Sequence, residues 1–140
     1  MKMKSLLAFV SAFALAASLA MAEDDTPLAK EMSAMNKSLR ALKKTANDPA
    51  QKAANIAAVD KMKANIAAST KLEPAKTKDQ PAAEKTAYVE KYKAQMVDLD
   101  KALDELKGSI DKGDIEAIAK SFEKLADLKE KGHKDFAPDE

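Results

Sequence analysis

Three features of this chain predict an all-α fold, specifically an antiparallel up-down-up-down four-helix bundle. Ala, Lys, Glu, Asp and Leu dominate, and only 3 glycines occur in 140 residues, a composition of helix formers. Prolines stand at the starts of segments or between them, never inside one. Four segments then place apolar residues at alternating steps of three and four, which gives a helix one buried face.

The first 22 residues are set apart from the fold. Lys2 and Lys4 form a basic start, Ser5 to Leu19 is almost wholly apolar, and Ala20-Met21-Ala22 has the small-x-small pattern of a signal-peptidase site. The sequence turns acidic at once, with Glu23-Asp24-Asp25. A cleaved signal peptide over 1–22 is expected, leaving a single exported domain over 23–140 that is periplasmic in a bacterium. An uncleaved N-terminal anchor is the alternative, but the run is short for a membrane span.

The expected helices cover 27–45, 49–70, 82–111 and 114–135. Leu28, Met32, Met35, Leu39 and Leu42 form the first stripe. Asp48-Pro49-Ala50-Gln51 opens the second, with Asp48 as N-cap and Gln51 three residues on as a capping-box partner. Its stripe is Ile56, Val59, Met62 and Ile66. A solvated loop rich in Lys, Thr and Pro is expected from Lys71 to Gln80. Tyr88, Tyr92, Met96, Leu99, Leu103, Leu106 and Ile110 line the third helix, which Gly113 stops. Asp114 caps the fourth, whose row runs from Ile115 through Phe122 and Lys129 to His133 and Phe136. Gly132, a poor helix former, predicts a loosened last turn beside His133.

Charge and cysteine usage narrow the function classes. The chain carries 24 Lys+Arg and 23 Asp+Glu; without Lys2 and Lys4 the domain is left at 22 against 23, near neutrality. That argues against nucleic acid and strongly anionic membranes as main partners. No cysteine is present, so disulfides, iron–sulfur clusters, thiolate metal sites and thioether-linked haem are all excluded. With one histidine and no nucleophile–base constellation, the sequence offers little for hydrolytic or transfer catalysis, and no enzyme activity is expected. A monomer without a stable membrane anchor is expected after cleavage.

In the predicted topology one end of the bundle collects unusual side chains. Met32 and Met35 lie early in the first helix, Met62 late in the second, Tyr88, Tyr92 and Met96 early in the third, and His133 and Phe136 at the finish of the fourth. Polarizable, adaptable side chains around a lone imidazole suit a flat apolar cofactor. Taken singly, each residue has a plainer reading. His133 fits a surface histidine favoured by a helix C-terminus. Met32, Met35, Met62 and Met96 fit core filling, and Tyr88 and Tyr92 fit core residues whose hydroxyls reach the rim.

From about Thr26 to Phe136 the chain resembles the cytochrome b562 family, exported haem-binding bundles of up-down-up-down topology. Met32-Ser33-Ala34-Met35-Asn36-Lys37-Ser38-Leu39-Arg40 resembles the family's ligand segment, and the stretch from Gly113 through Leu125 to His133 matches in spacing. Lys61-Met62-Lys63-Ala64 resembles the second-helix pattern, and Tyr92 falls where the family carries an aromatic residue. The resemblance implies one non-covalent haem b with Met32 and His133 as axial metal ligands. It also implies one-electron transfer to a protein partner that the sequence does not identify. Met35, Met62 and Tyr92 would line the cofactor site, and Lys129 is a candidate for the haem propionates. Two other functions fit the residues: a Cu(I) carrier built on Met32, Met35 and His133, and a haem-free exported bundle serving as an interaction module.

Overall fold

The computed structural model describes residues 26–137; the expected leader over 1–22 lies outside the described residues. Four α-helices follow one another: α1 Pro27–Thr45, α2 Lys52–Thr70, α3 Lys85–Lys112 and α4 Ile115–Phe136. No strand occurs among the described residues, and no described helix is long and apolar enough to cross a membrane. Close packing runs through the sequential pairs α1–α2, α2–α3 and α3–α4.

Each start and stop has a local cause. The Thr26 side chain accepts a hydrogen bond from Ala29 N at 3.2 Å, with Pro27 at the first helical position of α1. Asp48 caps as expected but accepts from Ala50 N at 2.9 Å, and it opens a 3₁₀ turn, Pro49–Gln51, ahead of α2. The capping box does not form, because Gln51 is itself the N-cap of α2 and makes no side-chain cap bond. α3 begins at Lys85, three residues later than the spacing suggests. The backbone N–H groups of Glu84 and Lys85 both bond Pro81 O, which tightens residues 81–84 into a turn. Gly113 ends α3 in the left-handed region (φ 67°), and Asp114 caps α4 by accepting from Ala117 N at 3.0 Å.

The link over 71–80 departs from its expected solvated state. Ala75–Asp79 form a 3₁₀ turn, and Pro74 and Thr77 are buried. A ten-residue link spanning two antiparallel neighbours has chain to spare, and here the surplus folds back over the end of the bundle.

One core runs the length of the molecule. Val59, Met62, Ala102, Leu106 and Leu103 are among its most deeply buried members, with Leu28, Met32, Ile56 and Phe122 packed at its edge. At the α1–α2 link, buried Asn55 donates through Nδ2 to Thr45 O at 2.8 Å and accepts from the Thr45 hydroxyl at 2.7 Å. The amide thus satisfies the C-terminal carbonyl of α1 and ties α1 to α2. Ion pairs Lys63–Asp104, Lys107–Asp60 and Lys124–Glu105 bridge neighbouring helices at the surface, where such pairs add little.

Two exposed glycines of α3 and its terminus should respond oppositely to alanine. A Cβ at either Gly108 or Gly113 meets nothing within 4 Å, so only backbone conformation differs. Gly113→Ala, at positive φ, is expected to lower the unfolding free energy by about 1 kcal/mol. Gly108→Ala, inside the helix, is expected to raise it by about 0.5–1 kcal/mol. Urea unfolding followed by circular dichroism reads both.

Candidate functional site

Direct contacts bring the start of α1, the end of α2, the start of α3 and the end of α4 to one end of the bundle. Asn65 of α2 donates to the Glu31 carboxylate of α1 at 2.8 Å. The buried Tyr92 hydroxyl of α3 donates to Ser69 O of α2 at 2.6 Å. The Phe136 ring of α4 meets Tyr88 and Tyr92 edge-on, with centroids 5.2 and 5.4 Å apart. These ties join all four elements in the order the antiparallel topology requires.

Met32 and His133 both lie at this end, on α1 and α4. Lys43 of α1 lies over the Phe122 ring of α4, 5.7 Å from its centroid, which marks where these two helices approach. Eleven residues back from Lys43 is Met32, and eleven residues on from Phe122 is His133. Eleven residues make three helical turns to within about 20°, an advance of about 16 Å. Because α1 and α4 run antiparallel, the two steps travel the same way along the bundle. Met32 is half-buried at the core's edge, and His133 is exposed, its ring in no hydrogen bond among the described residues.

The other sequence-selected residues divide clearly. Met35, Met62 and Tyr92 are buried in the core, with Met96 beside them. Met35 belongs to the core-facing row of α1, whereas Met32 sits at its margin. Lys129 is exposed one turn before His133 on the same row of α4. The Tyr92 hydroxyl does not reach the rim: it is buried, because Ser69 O in the last turn of α2 offers it an acceptor inside the bundle. Tyr88 is half-buried, its hydroxyl 3.5 Å from Asp135 O.

The last turn of α4 is not loosened by Gly132. The helix continues to Phe136, and Ala137 N closes it on His133 O at 2.9 Å. A Cβ at position 132 would meet Gln95 Oε1 at 3.2 Å, so glycine allows the Gln95 side chain to lie against α4. Buried Gln95 donates through Nε2 to the Asp135 carboxylate at 2.8 Å, and Lys91 Nζ stands 3.3 Å from the same oxygen. Partial desolvation opposes ionisation of Asp135, but these two donors and the nearby Lys131 charge outweigh it and hold the carboxyl below its ordinary range. Gln95 and Asp135 thus pin the turn that carries His133. A signal for Gln95 exists in the sequence: a polar residue between Tyr92 and Leu99, at core spacing on the α3 stripe.

Three buried polar atoms lack a hydrogen-bond partner among the described residues: Asn36 Oδ1, Asn65 Oδ1 and Thr77 Oγ1. Asn36 lies one turn after Met32, Asn65 bonds the residue preceding Met32, and Thr77 is in the link at the same end. Buried polar atoms without a protein partner are costly unless a bound molecule or water meets them. No cluster of three or more His, Asp or Glu able to hold a metal ion occurs among the described residues. The residues singled out from the sequence at this end are instead one thioether, Met32, and one imidazole, His133. That pair, with an apolar wall behind it, fits an iron porphyrin better than a bare ion.

The family model described as cytochrome b562 matches residues 27–137, most of the chain. No curated protein and no solved structure matches.

Burial pushes the Tyr92 phenol from its ordinary value of 10.0 up to about 12. An unfolded chain loses this proton near pH 10 while the folded chain keeps it, so stability falls as pH rises from about 10 to about 12. Tyr88, raised first by burial, contributes in the same direction. Tyr92→Phe is expected to cost about 1 kcal/mol at neutral pH through the lost bond to Ser69 O. It should also flatten part of the alkaline loss, as measured by urea midpoints from pH 8 to 12.

Proposed function

Because this chain belongs to the cytochrome b562 family, a family of haem-binding electron carriers, we propose that it is a periplasmic electron-transfer cytochrome. It holds one non-covalent haem b through the Met32 sulfur and the His133 imidazole as axial ligands. What supports this reading is that Met32 and His133 lie at the same end of the bundle, on its first and last helices. Bound there, haem supplies an iron that takes up and releases one electron.

The chain's own residues account for the rest. With no cysteine, attachment rests on the two ligands and on apolar contact. Met32 donates a soft thioether, which favours the ferrous state and raises the potential relative to two imidazoles. With both Met32 and His133 holding the iron, oxygen and peroxide would find no open position, as suits a carrier. Met35 and Met62 form the apolar floor, and Phe136 backs the turn that carries His133. Gln95 and Asp135 hold that turn against α3, so the imidazole is presented by a helix end with little freedom to shift. Lys129, exposed beside His133, supplies a cation for a propionate. Export by the leader over 1–22 delivers such a carrier to the periplasm, the compartment of the family.

Haem titration of the exported protein tests the reading. Wild type is expected to give a low-spin six-coordinate visible spectrum in both oxidation states. Met32→Ala should convert it to high spin, and His133→Ala should lose most haem. Met35→Ala should keep the low-spin spectrum while losing about 2 kcal/mol or more of stability, as a buried methionine does. A wild-type protein that leaves haem free in solution would sink the proposal.

A further inference from the structure

We infer that the outward face of α1, formed by Lys37, Arg40 and Lys44, is the docking surface for an acidic protein that exchanges electrons with this chain; the inference rests on the haem reading above. From Met32 to Asn47 the sequence contains four cations and no Asp or Glu. Lys37, Arg40 and Lys44 are all exposed, spaced three and four residues apart, and so share one face.

Six lysines of α2, α3 and α4 have a close carboxylate: Lys52, Lys63, Lys91, Lys107, Lys120 and Lys124 each stand within 4.0 Å of one. Lys61, Lys93, Lys101 and Lys112 make no ion pair among the described residues, but each has an Asp or Glu within three residues in the sequence, which Lys37, Arg40 and Lys44 do not. Lys37, Arg40 and Lys44 make no ion pair among the described residues, and Lys43 beside them lies on Phe122. Like charges at this spacing repel one another. Lys43 and Lys44 recover something from the C-terminal dipole of α1, but Lys37 and Arg40 lie too far from that end to do so. Their potential is directed outward. The domain as a whole is close to neutral, so this is a local field and not a reflection of net charge.

The face flanks the proposed ligand on the same helix, turned about 80–140° round the axis from Met32. Lys37 is five residues from Met32, roughly 8 Å along the axis, and Lys44 is roughly 18 Å away. A partner steered onto this face arrives with its redox group near the α1 side of the site. Arg40 adds a planar fork suited to carboxylates. Between the cations the exposed residues are small, Ser33 and Ala41, and no large apolar side chain is available to enter a bilayer. An acidic protein therefore fits better than a lipid surface.

Reduced plant-type [2Fe–2S] ferredoxin, an acidic one-electron donor, serves as the probe. One electron passes from its reduced cluster to the oxidised haem protein, and no bond or proton is transferred. Stopped-flow rates are compared for wild type, the triple variant Lys37→Gln/Arg40→Gln/Lys44→Gln, and a control triple Lys93→Gln/Lys101→Gln/Lys112→Gln on α3. At low ionic strength the α1 triple is expected to lose about tenfold or more in rate, and the control to stay within about twofold. High salt should erase the difference. Amide shifts of the ¹⁵N-labelled protein with oxidised ferredoxin should cluster at residues 37–44, a readout that needs no haem spectrum. Equal losses in both triples, or shifts centred elsewhere, overturn the inference. So does tighter binding to anionic phosphatidylglycerol vesicles through the same three residues, which would reassign the face to a membrane. If the chain takes no haem the rates vanish while the amide shifts still report docking, so the two failures are distinguishable.

Discussion

The contact between Phe136 and the two tyrosines of α3, with Tyr92 in turn bonded to Ser69 O, sets the register of three helices at one end. Tyr92 reaches across to the last turn of α2, and Phe136 stacks against it from α4. A shift of any of these helices by one residue turns a side chain by about 100° and breaks the set. Everything that gives His133 a definite position follows from this arrangement. Gln95 lies against Gly132, Asp135 meets Gln95 and Lys91, and the helix holds through the glycine.

α1 is attached in a different way. It packs closely on α2, is clamped at its far end by Asn55, and meets α4 through Lys43 and Phe122. Its seam with α4 is therefore the least tightly packed side of the bundle. The unpartnered amide oxygens of Asn36 and Asn65 lie at the same end of the bundle as Met32. A binding site needs surface that the fold has not already consumed, and a bundle closed through three sequential pairs leaves that surface between its first and last helices.

Electrostatics divide the helices along the same line. α2, α3 and α4 interleave carboxylates with their lysines and bridge some of them, whereas the outer face of α1 carries three cations in a stretch, Met32 to Asn47, without Asp or Glu. Surface pairs contribute little stability wherever they occur. Their distribution matters more for what approaches the molecule than for how it folds.

Sequence alone determined the helix count, their order, the capping residues Asp48 and Asp114, the stop at Gly113 and the core stripes. Each depends on a residue's own backbone preference or on three-and-four spacing within one segment. The shared end of Met32 and His133 was legible too, because short links between long helices permit little else. Tertiary structure decided what depends on neighbours distant in sequence. The 71–80 link buried Pro74 and Thr77, the Tyr92 hydroxyl turned inward to Ser69, and Gly132 became a fitted contact for Gln95 where its propensity alone suggested fraying. It also separated Met32 at the margin from Met35 in the core, two sulfurs that the sequence places on one stripe. Periodicity shows which face of a helix is apolar. How far round that face the next helix reaches is settled only when the helices pack.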